Sequence, residues 1–342
     1  MKAEPALPLF HPDSRALVKT HLPPELYTAL ARVKTGTGFT LEQAIQSGVK
    51  HPDSSIGIYA GDKESYTCFS KVFDPIIQAY HHPGKTHKPE FSPPKMPCLD
   101  PEGLYIKSAR VRVARNLDLF PFPCQIRAAQ RVQVEKHIVQ ALEQLPPDLS
   151  GRYLSFSDMK PTDLKDLVRK KLAFPRGDRF QEAAGINRDF PLGRGVFLSH
   201  DHGFRVWVNE EDHLRVMALC FNADISKVFN RVCRGLESLT PFLGFSHDDQ
   251  LGFLSSCPTN IGTAMRAGVH ICLKKLEQRP NLLKEIVSRH HLQVRGTLGE
   301  KTAVDQSIFD ISNARRLGIS ANTILQDLHA GVTAILQTEK NL

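Results

Sequence analysis

At roughly 150 residues per domain, a chain of 342 residues accommodates about two domains and is long enough for a real hydrophobic core. Hydrophobic residues make up 41% of it and charged residues 23%, which excludes a long disordered chain, a collagen-like chain and a coiled-coil rod. With 44 Lys and Arg against 36 Asp and Glu the net charge is +8, which leaves nucleic acid, a membrane surface or a small anionic substrate as partner.

From the N-terminus, MKAEPALPLFHPDSR lacks the apolar core of a secretion signal and is interrupted by Pro5, Pro8 and Pro12. No stretch reaches the ~18 uncharged apolar residues that span a bilayer, so a cytoplasmic protein without a membrane partner is expected. Residues 16–32 and 40–48 read as short amphipathic helices, with a Pro-Pro break at 23–24. Residues 64–80 place Tyr66, Phe69, Val72, Phe73, Ile76, Ile77 and Tyr80 at helical spacing, which predicts a small all-helical N-terminal domain over 1–86. The proline-rich stretch that follows has linker composition, and the linker is set at 87–104.

Beyond it, residues 104–114, 204–209, 266–273 and 291–296 are strand candidates by length, β-branched content and alternation. Apolar residues from 214 to 239 recur at helical spacing and predict one continuous helix over 211–239; a second helix fits 320–337. Strands with interspersed helices, lacking a regular βα alternation, give an α+β fold: the helical domain, then a larger domain over 105–342 with a mainly antiparallel sheet flanked by helices. The seven cysteines are odd in number, widely spaced and without a CxxC pair, so neither a disulfide framework nor a zinc site is read, and no residue is assigned to a metal.

The strands carry the functional signal, because side chains at i and i+2 share a face. Ser108, Arg110 and Arg112 oppose Ala109, Val111 and Val113. Arg266, Gly268, His270 and Cys272 oppose Ala267, Val269, Ile271 and Leu273, and Gln293 and Arg295 oppose Leu292 and Val294. Placed in one sheet these arginines converge, and such a cluster repels itself unless an anion fills it. The planar guanidinium fork suits phosphate oxygens, so a polyphosphate is the natural guest. No GxxxxGK[ST], GxGxxG after a strand, or HRD and DFG pair is present, which excludes a P-loop enzyme and a protein-kinase fold. The only dense basic runs are Arg169-Lys170-Lys171 and Lys274-Lys275, without a basic aromatic repeat, so no nucleic-acid partner is expected.

Two acidic sites accompany the arginines. Asn209-Glu210-Glu211-Asp212-His213 sits where a strand is predicted to give way to the long helix, a position at which carboxylates commonly only cap. Glu300 stands in a Gly-bearing loop after the Arg295 strand. Cys257 precedes Pro258 among hydroxyls; it reads either as a buried structural thiol or, given a nearby cation, as a thiolate.

Taken together, Ser108–Arg112, Val206–Arg215, Cys257–Thr263, Arg266–His270 and Gln293–Thr297 resemble the phosphagen (guanidino) kinases, in the family's order and over nearly the whole chain. Gln46–Val49, Asp53–Tyr59 and Phe73–Ile77 are most similar to the arginine-using members. The resemblance implies reversible transfer of the ATP γ-phosphoryl group to a guanidino nitrogen of L-arginine, with Mg²⁺ held mainly by phosphates and water and the enzyme a monomer or homodimer. It implies that Ser108, Arg110, Arg112, Arg215, Arg266, His270 and Arg295 hold ATP, the arginines on the phosphates and His270 near the adenosine. It further implies that Glu211, Glu300 and Cys257 are the catalytic groups around the guanidinium, and that Ser55, Ile56, Gly57 and Tyr59 form a short specificity loop. Glutamate titrates near 4.3 and a guanidinium near 12 or higher, so alignment rather than deprotonation is the carboxylates' expected work. Another guanidine such as taurocyamine, a protein arginine, and an inactive ATP- or arginine-binding homologue are the alternatives. Leu198, Ser55 and Gly61 depart from the family pattern, which usually has a histidine, a glycine and a proline there.

Overall fold

The computed structural model describes residues 7–82, 96–295 and 307–342, so the predicted linker lies in part outside the described residues. The N-terminal part is helical: α1 (Leu17–His21), α2 (Pro24–Leu30), α3 (Leu41–Ala44), α4 (Gln46–Lys50), α5 (Ser65–Cys68) and α6 (Ser70–His81). Each of the three predicted helical stretches is split in two. Pro24 opens α2 in the first turn, where its missing N–H leaves nothing unsatisfied. Thr40 and Gln43 cap α3 reciprocally. The predicted apolar stripe of α6, Val72, Phe73, Ile76 and Ile77, is buried against Val18, Leu41, Ile45 and Ile58.

The larger part contains β1 (Ile106–Arg115), α7 (Ala128–Leu142), β2 (Gly151–Ser155), α8 (Pro161–Arg169), α9 (Arg179–Ala183), β3 (Gly195–Ser199), β4 (Phe204–Val208), β5 (Leu214–Cys220), α10 (Ile225–Leu239), the short ribbon of β6 (His247–Asp248) and β7 (Gly252–Phe253), β8 (Met265–Cys272), α11 (Pro280–Arg289), β9 (Leu292–Arg295), β10 (Ile308–Asn313) and α12 (Ala321–Asn341). Eight strands form one sheet in the order β2-β3-β4-β5-β1-β8-β10-β9, every neighbouring pair antiparallel. The α+β architecture expected from the sequence is therefore present.

One face of the sheet, with Val111, Val113, Val206, Val216, Val269 and Ile311, is packed into the core with α10 and α12. The opposite face is divided. Over β2, β3 and β4 it is apolar, where Val196 and Leu198 lie beneath Phe156, Phe174 and the side chains of α8. Leu198 is thus wrapped in hydrocarbon. Over β1, β8, β10 and β9 the same face is largely polar, and β5 adds Arg215 to it beside Met217 and Leu219.

The continuous helix predicted over 211–239 is not formed. Residues 209–213 make a hairpin turn, 214–220 are strand β5, and only 225–239 are helical. Short apolar runs fit both periods, but Leu214, Val216 and Ala218 are buried as an alternating set, which a strand in mid-sheet satisfies on both ladders. Phe221, which the helical stripe would have buried, is 84% exposed, and Asp224 caps α10 by accepting from the Lys227 N–H at 2.9 Å.

Candidate active site

Of the predicted arginine strands β1 and β8 are neighbours, and β9 follows across β10, in a register that puts their polar side chains on one face. Arg112 stands opposite Arg266, Arg110 opposite Gly268, and Ser108 opposite His270. On the next strand Asp310 faces His270 and, on its other side, Arg295. Arg266 Nη2 donates to Ser312 Oγ at 2.9 Å and lies 3.5 Å from Asp310, which also pairs with Arg110. Arg295 donates to Gln293 at 3.3 Å, and Ser108 Oγ meets His270 Nδ1 at 3.0 Å. The carboxylate of Asp310 thus stands among three arginines, paired with Arg110 and Arg266 and opposite Arg295.

The excess positive charge disfavours the charged forms within the cluster. Burial, then Arg215, Arg266 and Arg110, hold the Arg112 guanidinium well below its ordinary value, and Glu210 offsets this only in part. Burial and Arg295 bring Arg266 down to about 9. His270 is lowered by burial and by Arg110, which keeps the imidazole neutral. Like charges crowded in a medium of effective dielectric ~20 repel by a few kcal/mol per close pair, so the arrangement is poised to be neutralised by an anion.

At the β4–β5 hairpin three carboxylates converge on one guanidinium. Arg215, 6% exposed, pairs with Glu210 at 2.6 Å, with Glu211 in the same turn, and with Asp212 at 3.6 Å. Burial disfavours its charge, but Glu210, Glu211 and Asp212 outweigh that and raise it above the ordinary value. The turn is held by Asn209, whose backbone is left-handed (φ 55°) and whose amide donates to the carbonyls of Arg131 at 3.0 Å and Gly193 at 2.6 Å. These carboxylates are therefore turn residues paired to an arginine, and the helix-cap role considered from the sequence does not apply.

Asp212 ties this turn to the next feature. Its Oδ1 accepts from Asn116 Nδ2 at 2.8 Å and from the Ser256 N–H at 3.1 Å, the residue before Cys257. The Cys257 turn is gripped from both parts of the chain. Tyr66 donates to the Ser255 carbonyl at 2.7 Å, the Ala60 N–H to Ser256 at 2.8 Å, His81 Nε2 to Pro258 at 2.8 Å and Arg316 to Thr259 at 2.7 Å. Burial and then Glu211 push the Cys257 thiol up to about 12, so without a cation beside it the group is a neutral thiol. Tyr59, 7% exposed, is raised well above its ordinary value by burial first and then by Cys257 and Glu211, within whose electrostatic reach it lies.

The rest of the predicted specificity loop is placed differently. Ile56 is buried in the helical core, and Ser55 is exposed, its carbonyl accepting from the Leu17 N–H at 3.0 Å. Gly57 has φ +72°, and a Cβ there would meet Val18 at 2.7 Å and the Gly48 backbone at 2.8 Å, so only glycine fits. At Gly61 a Cβ would run into the Phe39 ring at 2.4 Å, which accounts for the absence of the proline usual in the family. Glu300 lies outside the described residues. Asp310 and Ser312 are not singled out by the sequence reading, and Glu210 and Asp212 enter it only as members of the acidic segment around Glu211.

Two buried histidines set an acid limit on this arrangement. The Leu117 N–H donates to His213 Nδ1 at 2.9 Å, and burial lowers this histidine to about 3. Burial lowers His81 to about 4. Both values lie below the unfolded reference of ~6.5, so the unfolded chain binds more protons and stability is lost as pH falls from about 6.5 toward 4. Asp212, raised by burial, offsets part of this at the acid end. The unfolding free energy is expected to be flat above pH 7 and to drop between pH 6.5 and 5, by up to ~1.4 kcal/mol per pH unit for each histidine, with the urea midpoint falling in step. A midpoint unchanged to pH 5 would contradict the buried neutral state.

Family comparison agrees with this geometry. The model of the ATP:guanido phosphotransferase C-terminal catalytic domain matches residues 133–342, and that of the N-terminal domain matches residues 12–78. The chain is 42% identical over 341 residues to an arginine kinase of Anthopleura japonica, covering 97% of this chain but 48% of that longer relative. It is 40% identical to an arginine kinase of Limulus polyphemus, covering 96% of this chain and 93% of the relative. A lombricine kinase crystal structure superposes with a TM-score of 0.90 at 33% identity, over 96% of this chain and 93% of that one. A duplicated taurocyamine kinase of Schistosoma mansoni, bound to transition-state analogue components, gives 0.90 at 32% identity, over 96% of this chain and 46% of its own. Among the described residues no helix is long and apolar enough to cross a membrane.

Proposed function

Because the chain belongs to the ATP:guanido phosphotransferases, we propose that it transfers the γ-phosphoryl group of ATP reversibly to a guanidino nitrogen of L-arginine. The observation that carries this reading is the Arg112–Arg266 pair, an under-neutralised guanidinium site beside a carboxylate-rich turn. Arg110, Arg112, Arg215, Arg266 and Arg295 clamp the phosphates, Ser108 and His270 flank the nucleoside, and the domain over 105–342 supplies them all. The helical domain over 1–86 brings Tyr59 and its loop to the amino-acid end of the substrate. Magnesium arrives as part of MgATP, held by phosphate oxygens and water, since guanidinium donors attract oxyanions and repel a cation.

Phosphoryl transfer asks for in-line positioning and charge neutralisation more than for covalent chemistry. The arginines neutralise the three equatorial oxygens as charge spreads onto them. Glu211, aided by Glu300, aligns the planar guanidinium bidentately so that one nitrogen faces the phosphorus. Glu211 now pairs with Arg215, and Glu210 is placed to retain Arg215 when a substrate guanidinium competes for Glu211. A cation beside Cys257 favours its thiolate, which would grip the non-reacting nitrogen.

The similarity to arginine kinases supports L-arginine, and the similarity to lombricine and taurocyamine kinases supplies the competitors. Coupled assays with MgATP are expected to give a kcat/KM for L-arginine exceeding that for taurocyamine, lombricine or creatine by roughly a hundredfold or more, since a site built for one polar head leaves groups unpaired with another. A higher value for another guanidine would reassign the substrate, and no turnover with any would overturn the reading.

A further inference from the structure

The turns that carry Glu211 and Cys257 meet on one side chain. Asn116 follows the last residue of β1 and is fully buried. Its amide donates twice, to Asp212 Oδ1 at 2.8 Å and to the Leu254 carbonyl at 3.3 Å, and its Oδ1 accepts from the His213 N–H at 2.9 Å. Its own backbone carbonyl accepts from the Ser246 N–H at 2.8 Å. Asp212 Oδ1 accepts in turn from the Ser256 N–H at 3.1 Å. Glu211 therefore neighbours a partner of Asn116 in the chain, and Cys257 neighbours the residue which that partner holds.

Both donor hydrogens of this amide and its acceptor oxygen are thus engaged. They join three segments far apart in sequence: the end of β1, the β4–β5 hairpin and the segment from Ser246 to Ser256. Because β1 also carries Arg110 and Arg112, the same residue refers both turns to the strand that presents the phosphate-binding arginines. An apolar side chain of similar size would fill the space but leave the Leu254 carbonyl and the His213 N–H unpaired, and Asp212 would keep only its Ser256 contact on Oδ1. In-line transfer is sensitive to such slack, since a shift of about 1 Å in a reacting group can cost ~100-fold in rate.

We propose that Asn116 is a positioning residue for the guanidinium site: acting through Asp212, it holds the Glu211 turn and the Cys257 turn at the separation a planar guanidinium requires. The inference rests on the phosphotransfer reading above and adds to it a residue that touches neither substrate. A residue that serves only the fold changes how much protein is folded. A positioning residue changes kcat/KM for the guanidine in protein that is folded and binds nucleotide normally.

The test is kcat/KM for L-arginine at saturating MgATP in Asn116→Ser and Asn116→Asp, normalised to the ADP-binding sites counted by calorimetric titration. A serine hydroxyl cannot reach all three partners, so Asn116→Ser is expected to lose roughly tenfold or more in kcat/KM, with ADP affinity within about twofold of the unmodified chain's. Asn116→Asp keeps the acceptor for His213 and, while it shares one proton with Asp212, a donor for Asp212 Oδ1. When that proton leaves, two buried carboxylates are in contact. Its kcat/KM relative to the unmodified chain is therefore expected to fall by roughly tenfold or more between about pH 7 and 9, with ADP binding unchanged. The ionisable groups facing Asp212 are Arg215 and Glu211 on the hairpin, Cys257 on its turn, and Tyr66 and Cys124 beyond it. Arg215, Cys257, Tyr66 and Cys124 are all raised and keep their protons over that range, and the adjacent His213, lowered to about 3, stays neutral. An unchanged normalised kcat/KM in Asn116→Ser, or a ratio independent of pH in Asn116→Asp, would overturn the inference; should Asn116→Asp not fold, Asn116→Ser decides alone. Loss of ADP binding in Asn116→Ser would make Asn116 a residue of the fold and overturn it too. Absence of turnover in the unmodified chain would overturn the phosphotransfer reading, and this inference with it.

Discussion

Glu211→Gln is expected to fold and to bind ADP as the unmodified chain does, while kcat with L-arginine falls by about 10²–10³-fold or more. Glu211 is 13% exposed at the tip of the β4–β5 hairpin, on the same turn as Arg215 and within the electrostatic reach of Cys257 and Tyr59. The change preserves volume and leaves an oxygen for Arg215, which Glu210 and Asp212 still neutralise, so the turn has no reason to open. What disappears is the negative charge that fixes the planar cation in line with the phosphorus. Stopped-time assays paired with ADP titration separate the two effects. Turnover like that of the unmodified chain would show that the guanidinium is held elsewhere.

Arg112→Met is expected to move activity and stability in opposite directions. Arg112 is half-buried, faces Arg266 directly, and is flanked by Arg110 and Arg215. Replacing it with an apolar chain of similar length relieves like-charge repulsion and a desolvation cost, so the ligand-free protein is expected to gain about 1 kcal/mol and a few degrees in Tm. The same change removes a donor from the site where phosphoryl charge develops, so kcat/KM for ATP is expected to fall by about 10²–10³-fold. Function sites commonly carry such strain. A variant that loses both activity and Tm would indicate that Arg112 serves the fold.

Period-two alternation makes the arginine face legible in the sequence itself. Arg110 and Arg112 alternate with Val111 and Val113, and Arg266 with Ala267, so the face each presents follows once the strands are recognised. Strand β3 escaped because all of its side chains are buried, which erases the alternation. Strand β5 reads as helix in the sequence because its apolar residues also fit a 3.6 repeat continuing into α10. Misreading it turned the Glu210–Asp212 hairpin into a helix start. Asp310 went unnoticed although Phe309 and Ile311 alternate with Asp310 and Ser312, the signature of a strand with one polar face. Glu300 came from resemblance alone, and the tie of Asp212 to the Ser256 backbone is a long-range contact that local pattern does not encode.

The most direct measurement is phosphorus NMR of the purified chain with MgATP and L-arginine. The expected result is a new phosphoramidate resonance that grows as the γ-phosphate signal of ATP declines and ADP appears, and that reverses when ADP is added in excess. Unchanged ATP, or γ-phosphate appearing only as inorganic phosphate, would contradict phosphoryl transfer to the guanidinium.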